Sequence, residues 1–304
     1  MEENTIDTVP GGDAMSRMPG FKRTCLKIGL MMVIIFVSRG AESILLSLAA
    51  SGGMFDGMDG NLSYLLQTVF SFIFLYIIPM VCAVLLLKPP GMCRNVYRRP
   101  QYFSSAMGMF PAFYGLSFLV NMLTMLASKL FENTDLYKSF NTVNELTPDN
   151  MFCAAVLLFQ LVVIAPVFEE FWFRGIVLES LRPYGNGFAI LISGLMFGLT
   201  HANFNQFFYA SVLGICLGYI AVSTKSIVTT TIMHAMFNGM SGIMLFLITF
   251  DDVGDYLVGK STEKTPAVVC YLVFCFIMIM LMIIGVFMAC LLYTSPSPRD
   301  ATLS

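Results

Sequence analysis

The chain has 304 residues, of which 57% are hydrophobic and 12% charged, and its mean hydropathy is +0.77. That composition excludes an ordinary soluble domain and points to a chain that crosses a membrane several times. A net charge of −2 gives no basis for nucleic-acid binding, and eight scattered cysteines without a Cys-x-x-Cys pair indicate neither a disulfide framework nor a thiolate metal site.

Residues 1–24 are polar and form an N-terminal segment expected on the cytoplasmic side. Arg17, Lys22, Arg23 and Lys27 precede the first apolar run, as in the n-region of a signal peptide. The leader is long, however, and Arg39 and Glu42 interrupt the run, so a retained first transmembrane helix is expected. Arg39 and Glu42 stand at i and i+3, a spacing that allows an internal ion pair.

Eight segments approach the ~20 residues needed to span a bilayer. They cover about 26–50, 63–87, 102–131, 151–182, 186–203, 206–223, 226–249 and 266–292. The expected fold is all-α and polytopic, with about eight transmembrane helices around an intramembrane polar cavity. Helices 1–3 and their loops occupy 25–150, a core of four helices 151–249, and the last helix 250–292.

Loop charges set an expected orientation. Asp56 and Asp59 mark the first loop; Lys88, Arg94, Arg98 and Arg99 mark the second. Glu132, Asp135, Glu145 and Asp149 outweigh Lys138 in the third, Arg182 ends the fourth segment, and Lys225 separates the sixth and seventh. By the positive-inside rule this alternation puts both termini in the cytoplasm. From about Leu291 the text Leu-Leu-Tyr-Thr-Ser-Pro-Ser-Pro-Arg-Asp looks like translated adapter read-through, so residues 293–304 are treated as a non-native tail.

The unusual polar residues fall late in the chain. Glu169 and Glu170 are adjacent within an apolar segment, and Arg174 is one helical turn beyond Glu170. The only two histidines, His201 and His234, also lie in apolar segments, one turn beyond Phe197 and one turn before Asn238. A charge at the bilayer centre costs roughly 2.5–3.5 kcal/mol, so such groups mark functional sites by default. At about 1.5 Å rise per residue, these groups reach similar depths of roughly 12–22 Å from the cytoplasmic helix ends.

Two carboxylates, an arginine, two imidazoles and an amide in one layer suit hydrolysis by an activated water. A glutamate can serve as general base, and a histidine with an amide can hold a developing oxyanion. The same set could instead ligate a divalent metal such as zinc through Glu169, His201 and His234. There is no His-Glu-x-x-His helix and no serine in an evident nucleophile setting.

Glu-Glu-x-x-x-Arg at 169–174, Phe-x-x-x-His at 197–201 and His-x-x-x-Asn at 234–238 resemble the three motifs of the CPBP family. This family groups the CAAX-protease-like and bacteriocin-processing (Abi, Rce1-like) intramembrane endopeptidases. The resemblance implies a helical core with a cavity open to the cytoplasm, and hydrolysis of a peptide bond in a membrane-associated protein or peptide substrate. It implies that Glu169 and His201 activate water, that His234 and Asn238 stabilise the oxyanion, and that Glu170 pairs with Arg174. The implied setting is the plasma membrane of a bacterium. A noncatalytic scaffold or bacteriocin-immunity protein of the same fold is the alternative. A proton-coupled transporter would need inverted repeats, and no internal repeat is evident.

Overall fold

The computed structural model describes residues 20–87, 97–134, 137 and 150–294. Lys88, Arg94, Asp135, Lys138, Glu145, Asp149, most of the 1–24 leader and the tail from residue 295 lie outside these residues. The described residues form helices and connecting turns, with no strand among them.

Among the described residues, seven helices are long and apolar enough to cross a membrane. They are α1 (Phe21–Ser51), α2 (Gly60–Leu86), α3 (Phe103–Ser128), α4 (Met151–Tyr184), α6 (Phe204–Thr224), α7 (Ile227–Ile248) and α8 (Pro266–Leu291). Between α4 and α6 lies α5, Asn186–Leu199, with only 14 residues. The fold is therefore an all-α polytopic membrane fold, with seven candidate spans among the described residues where about eight were expected. At about 1.5 Å per residue α5 rises only ~21 Å, short of a bilayer core. It stops because the chain turns at once through His201, Ala202 and Asn203, with Ala202 in the left-handed region at φ 50°. Helix α1 also starts earlier than expected, so Lys22 and Arg23 are already helical.

Local chemistry explains the element boundaries. Asp59, Asn150, Asn203 and Ser226 accept bonds from the first free amides of α2, α4, α6 and α7. Gly185, at φ 119°, turns the chain between α4 and α5 in a conformation that L side chains rarely adopt.

Helix α6 is central. Of its apolar window 56% is buried, against 33% or less for the other spans. One apolar cluster joins Ile28, Met31 and Ile35 of α1 to Phe173 and Ile176 of α4 and Ala210 of α6. A second joins Tyr114 of α3, Leu217 of α6, Phe237 of α7 and Met278 of α8. Helices α5 and α6 touch through small residues. A Cβ added to Gly198 would collide with Ser211 Oγ and stand 2.6 Å from the Phe207 carbonyl. Only a hydrogen fits there, and that lets the two backbones approach.

Candidate active site

Helix α4 carries three of the singled-out residues, and its register decides what each one meets. The helix is interrupted by two π-helical stretches, Gln160–Ile164 and Phe171–Leu178. Such widened turns are rare and tend to sit at functional sites. In the first stretch the Ala165 amide closes five residues back, on the Gln160 carbonyl. The next residue is Pro166, which has no N–H, so the Leu161 carbonyl lacks a donor along the helix. Asn238 Nδ2 supplies one from α7, at 3.0 Å. Because a carbonyl only accepts, this bond orients the Asn238 amide and leaves its second N–H free.

Glu170 and Arg174 form the expected i,i+4 pair at 2.7 Å, with both side chains at 0% exposure. Glu170 Oε1 also takes His234 Nδ1 at 2.8 Å. Arg174 Nη2 donates to the Gly214 carbonyl of α6 at 2.9 Å, and its guanidinium lies 4.7 Å from the centre of the Phe197 ring. Buried charges persist when paired and hydrogen-bonded in this way. The cluster thus pins α4, α6 and α7 to one another.

Glu169 faces the other way and is 19% exposed. Its Oε2 lies 3.7 Å from His234 Nε2, and its Oε1 accepts from the Tyr76 hydroxyl at 3.2 Å. His201 is half-buried on the turn after α5, with Nδ1 3.0 Å from the Phe197 carbonyl. Since that carbonyl only accepts, Nδ1 carries the proton and Nε2 is the free nitrogen. His234 presents Nε2 by the same logic, because an ionised Glu170 holds its Nδ1–H. Phe197 unites the two imidazoles: its ring meets His201 edge-to-face at 5.2 Å and His234 at 5.4 Å.

Contacts therefore bring six of the seven sequence-derived residues into one neighbourhood, divided into a closed part (Glu170, Arg174, His234) and an open part (Glu169, His201), with Phe197 between them; Asn238, one turn beyond His234 on α7, is tied to α4 through the Leu161 carbonyl. Arg39 and Glu42, expected to pair with each other, do not. Arg39 Nη1 donates to the Thr200 carbonyl at 2.7 Å, and Glu42 accepts from Ser71. Both side chains project towards neighbouring helices rather than along α1. Tyr76, Gly214 and Leu161 were missed by sequence reasoning. One is a tyrosine in a long apolar run, and the other two contribute backbone carbonyls.

If a divalent metal bound here, Glu169 Oε2, His201 Nε2 and His234 Nε2 are the atoms that would hold it, each His being held at Nδ1 as ligating histidines usually are. Among the described residues, no three His, Cys, Asp or Glu side chains stand together as a metal-ligand group. His201 Nδ1 and His234 Nδ1 are committed to Phe197 and Glu170, and Glu169 Oε1 is bonded to Tyr76. A three-ligand zinc site would need Glu169, His201 and His234 to converge. A surface cavity of about 470 Å³, lined by Ile248, Asp251, Asp255 and Lys260 among others, touches none of the site residues.

Residues 151–240 match the family model described as Type II CAAX prenyl endopeptidase Rce1-like, which takes in all three motifs. Over 102 residues the chain is 30% identical to the protein named "Putative membrane peptidase YdiL" of Bacillus subtilis (strain 168). That similarity covers 33% of this chain and 40% of the relative's length, so the chain matches well under half of that protein. No solved structure matches the chain. The motif resemblance and the family model coincide on the same residues, and together they support a peptidase embedded in a membrane.

Proposed function

We propose that this protein is an intramembrane endopeptidase that hydrolyses a peptide bond in a membrane-associated protein or peptide. The supporting observation is the split of two adjacent carboxylates around one imidazole. Glu170 holds His234 Nδ1 from the buried side, and Glu169 stands near His234 Nε2 on the accessible side. In this reading Glu169, with His201 Nε2, takes a proton from a water that attacks the substrate carbonyl. On the same reading the oxyanion is met by the His234 edge that carries Nε2, and the second N–H of Asn238 adds a donor. The C–N bond then breaks, and the proton held by the Glu169–His201 pair passes to the leaving amine. Glu170 and Arg174 take no proton; they hold the frame.

The test is cleavage of a peptide library by purified protein in detergent, comparing wild type with Glu169→Ala, with and without a strong chelator. Cleavage by wild type alone, unaffected by chelator, is the expected result. Loss with chelator would put a metal into the mechanism and overturn the metal-free route. Full activity in Glu169→Ala would remove the mechanism altogether. A folded wild type that cleaves nothing would favour a scaffold or immunity role for the same fold.

A further inference from the structure

We propose that α1 and α2, which lie outside the matched residues 151–240, complete the site: Tyr76 positions the Glu169 carboxylate, and Arg39 positions the turn that carries His201. This inference rests on the endopeptidase reading above.

Tyr76 sits in a third π-helical turn, Ile73–Ile77, in which the Ile78 amide closes on the Ile73 carbonyl five residues back. One extra residue in a turn rotates the rest of the helix by about 100°. The Tyr76 ring is flanked by Phe72 at 5.8 Å and by Phe168, the residue before Glu169, at 5.7 Å. With the ring clamped, its hydroxyl donates to Glu169 Oε1 at 3.2 Å. That bond decides which carboxylate oxygen faces His234, since only Oε2 is left for the imidazole. A carboxylate free to rotate would spend much of its time turned away from the water it must activate.

Arg39 does the equivalent for His201. The Thr200 carbonyl lies at the C-terminal end of α5, where helix carbonyls lack amide partners. Arg39 Nη1 satisfies it at 2.7 Å from another helix. The next residue is His201, and the one after it, Ala202, has φ 50°. Left-handed geometry at a residue with a side chain is held by its surroundings. Arg39 makes no ion pair among the described residues, although it lies in an apolar span where an arginine is expensive. A cation kept there without a carboxylate, with its bond spent on the turn before His201, is placed for positioning.

Steady-state cleavage of one susceptible peptide, with melting in detergent as a second readout, tests this. Tyr76→Phe keeps the ring packing and removes only the hydroxyl. It should lower kcat about 10- to 100-fold, in line with the cost of a small misplacement, with KM and melting unchanged. Arg39→Met should lose about 100-fold in kcat, and Arg39→Lys, which can still donate one bond, should recover about tenfold of that loss. Glu42→Gln, which disturbs only the α1–α2 bond to Ser71, should behave as wild type. Wild-type kcat in Tyr76→Phe and Arg39→Met beside an inactive Glu169→Gln would overturn this inference alone. An active Glu169→Gln would overturn the role given to Glu169 and this inference with it, and a folded wild type that cleaves nothing would overturn the endopeptidase reading beneath it. Activity lost only in step with melting, or through KM, would make both residues mere packing groups and also overturn it.

Discussion

Glu169 and Glu170 share a peptide bond and lead opposite lives. Glu170 is sealed, and its Oε1 takes both Arg174 and His234. Glu169 is partly open, holds one bond to Tyr76, and stands beside His234 without a hydrogen bond. Roughly 100° of helix rotation separates them. The closed half resembles a structural core made of charges, and the open half resembles a site awaiting a substrate. The contrast shows how one helix can meet two demands at once. Rigidity comes from tying Glu170 to Arg174 and His234 and Arg174 to the Gly214 carbonyl on the buried side, and reactivity comes from leaving donors and acceptors unspent on the other. His234 belongs to both halves, with one nitrogen anchored and one offered.

This contrast can be broken by substitution, and the expected effects fall in order of folding free energy. Glu170→Ala should be the most damaging, costing about 3–5 kcal/mol because it strands a buried guanidinium. Chemical denaturation in detergent would measure it; a loss under about 1 kcal/mol would show that the closed half is not the frame it is taken for. Gly198→Ala comes next. Its methyl group would meet Ser211 and the Phe207 carbonyl, an overpacking that costs about 1–3 kcal/mol. By pushing α5 off α6 it should also displace Phe197 and His201, so cleavage should fall with stability. Phe197→Leu removes the wall between the halves and the ring beneath Arg174, for about 1–2 kcal/mol. Its activity should drop more than its stability implies, because both imidazoles lose their shared contact. The smallest folding effect belongs to Asn238→Ala, about 1 kcal/mol for one hydrogen bond to the Leu161 carbonyl. If Asn238 holds the oxyanion, that variant should nonetheless lose about 100-fold or more in kcat. A kcat loss no larger than that of Phe197→Leu would make Asn238 a packing residue that only holds the Leu161 carbonyl.

How far the site could be read in advance depended on the range of each interaction. Glu170 and Arg174 are four apart on one helix, so their pairing follows from helical geometry alone. The same rule failed for Arg39 and Glu42, whose spacing permits a pair that α5 and α2 outcompete through Thr200 and Ser71. His201 was expected inside a membrane segment and lies on the turn beyond α5, because hydropathy does not register where a helix stops within an apolar run. The link between Glu170 and His234 spans 64 positions and could not be inferred from spacing.

Composition and apolar run length determined the helical membrane fold and, the fifth segment apart, where its long helices lie, because burying backbone in lipid leaves few alternatives to the helix. Three short motifs brought Glu169, His201, His234 and Asn238 into consideration together. Only the tertiary structure decided which glutamate is sealed and which is open, which nitrogen of each histidine is free, and that Tyr76 and Arg39 reach the site from helices outside the motifs. Those outcomes depend on helix rotation, on π-helical turns that shift the register, and on glycines that let α5 and α6 meet. Each is a property of how helices fit together, and periodicity along one helix does not encode it.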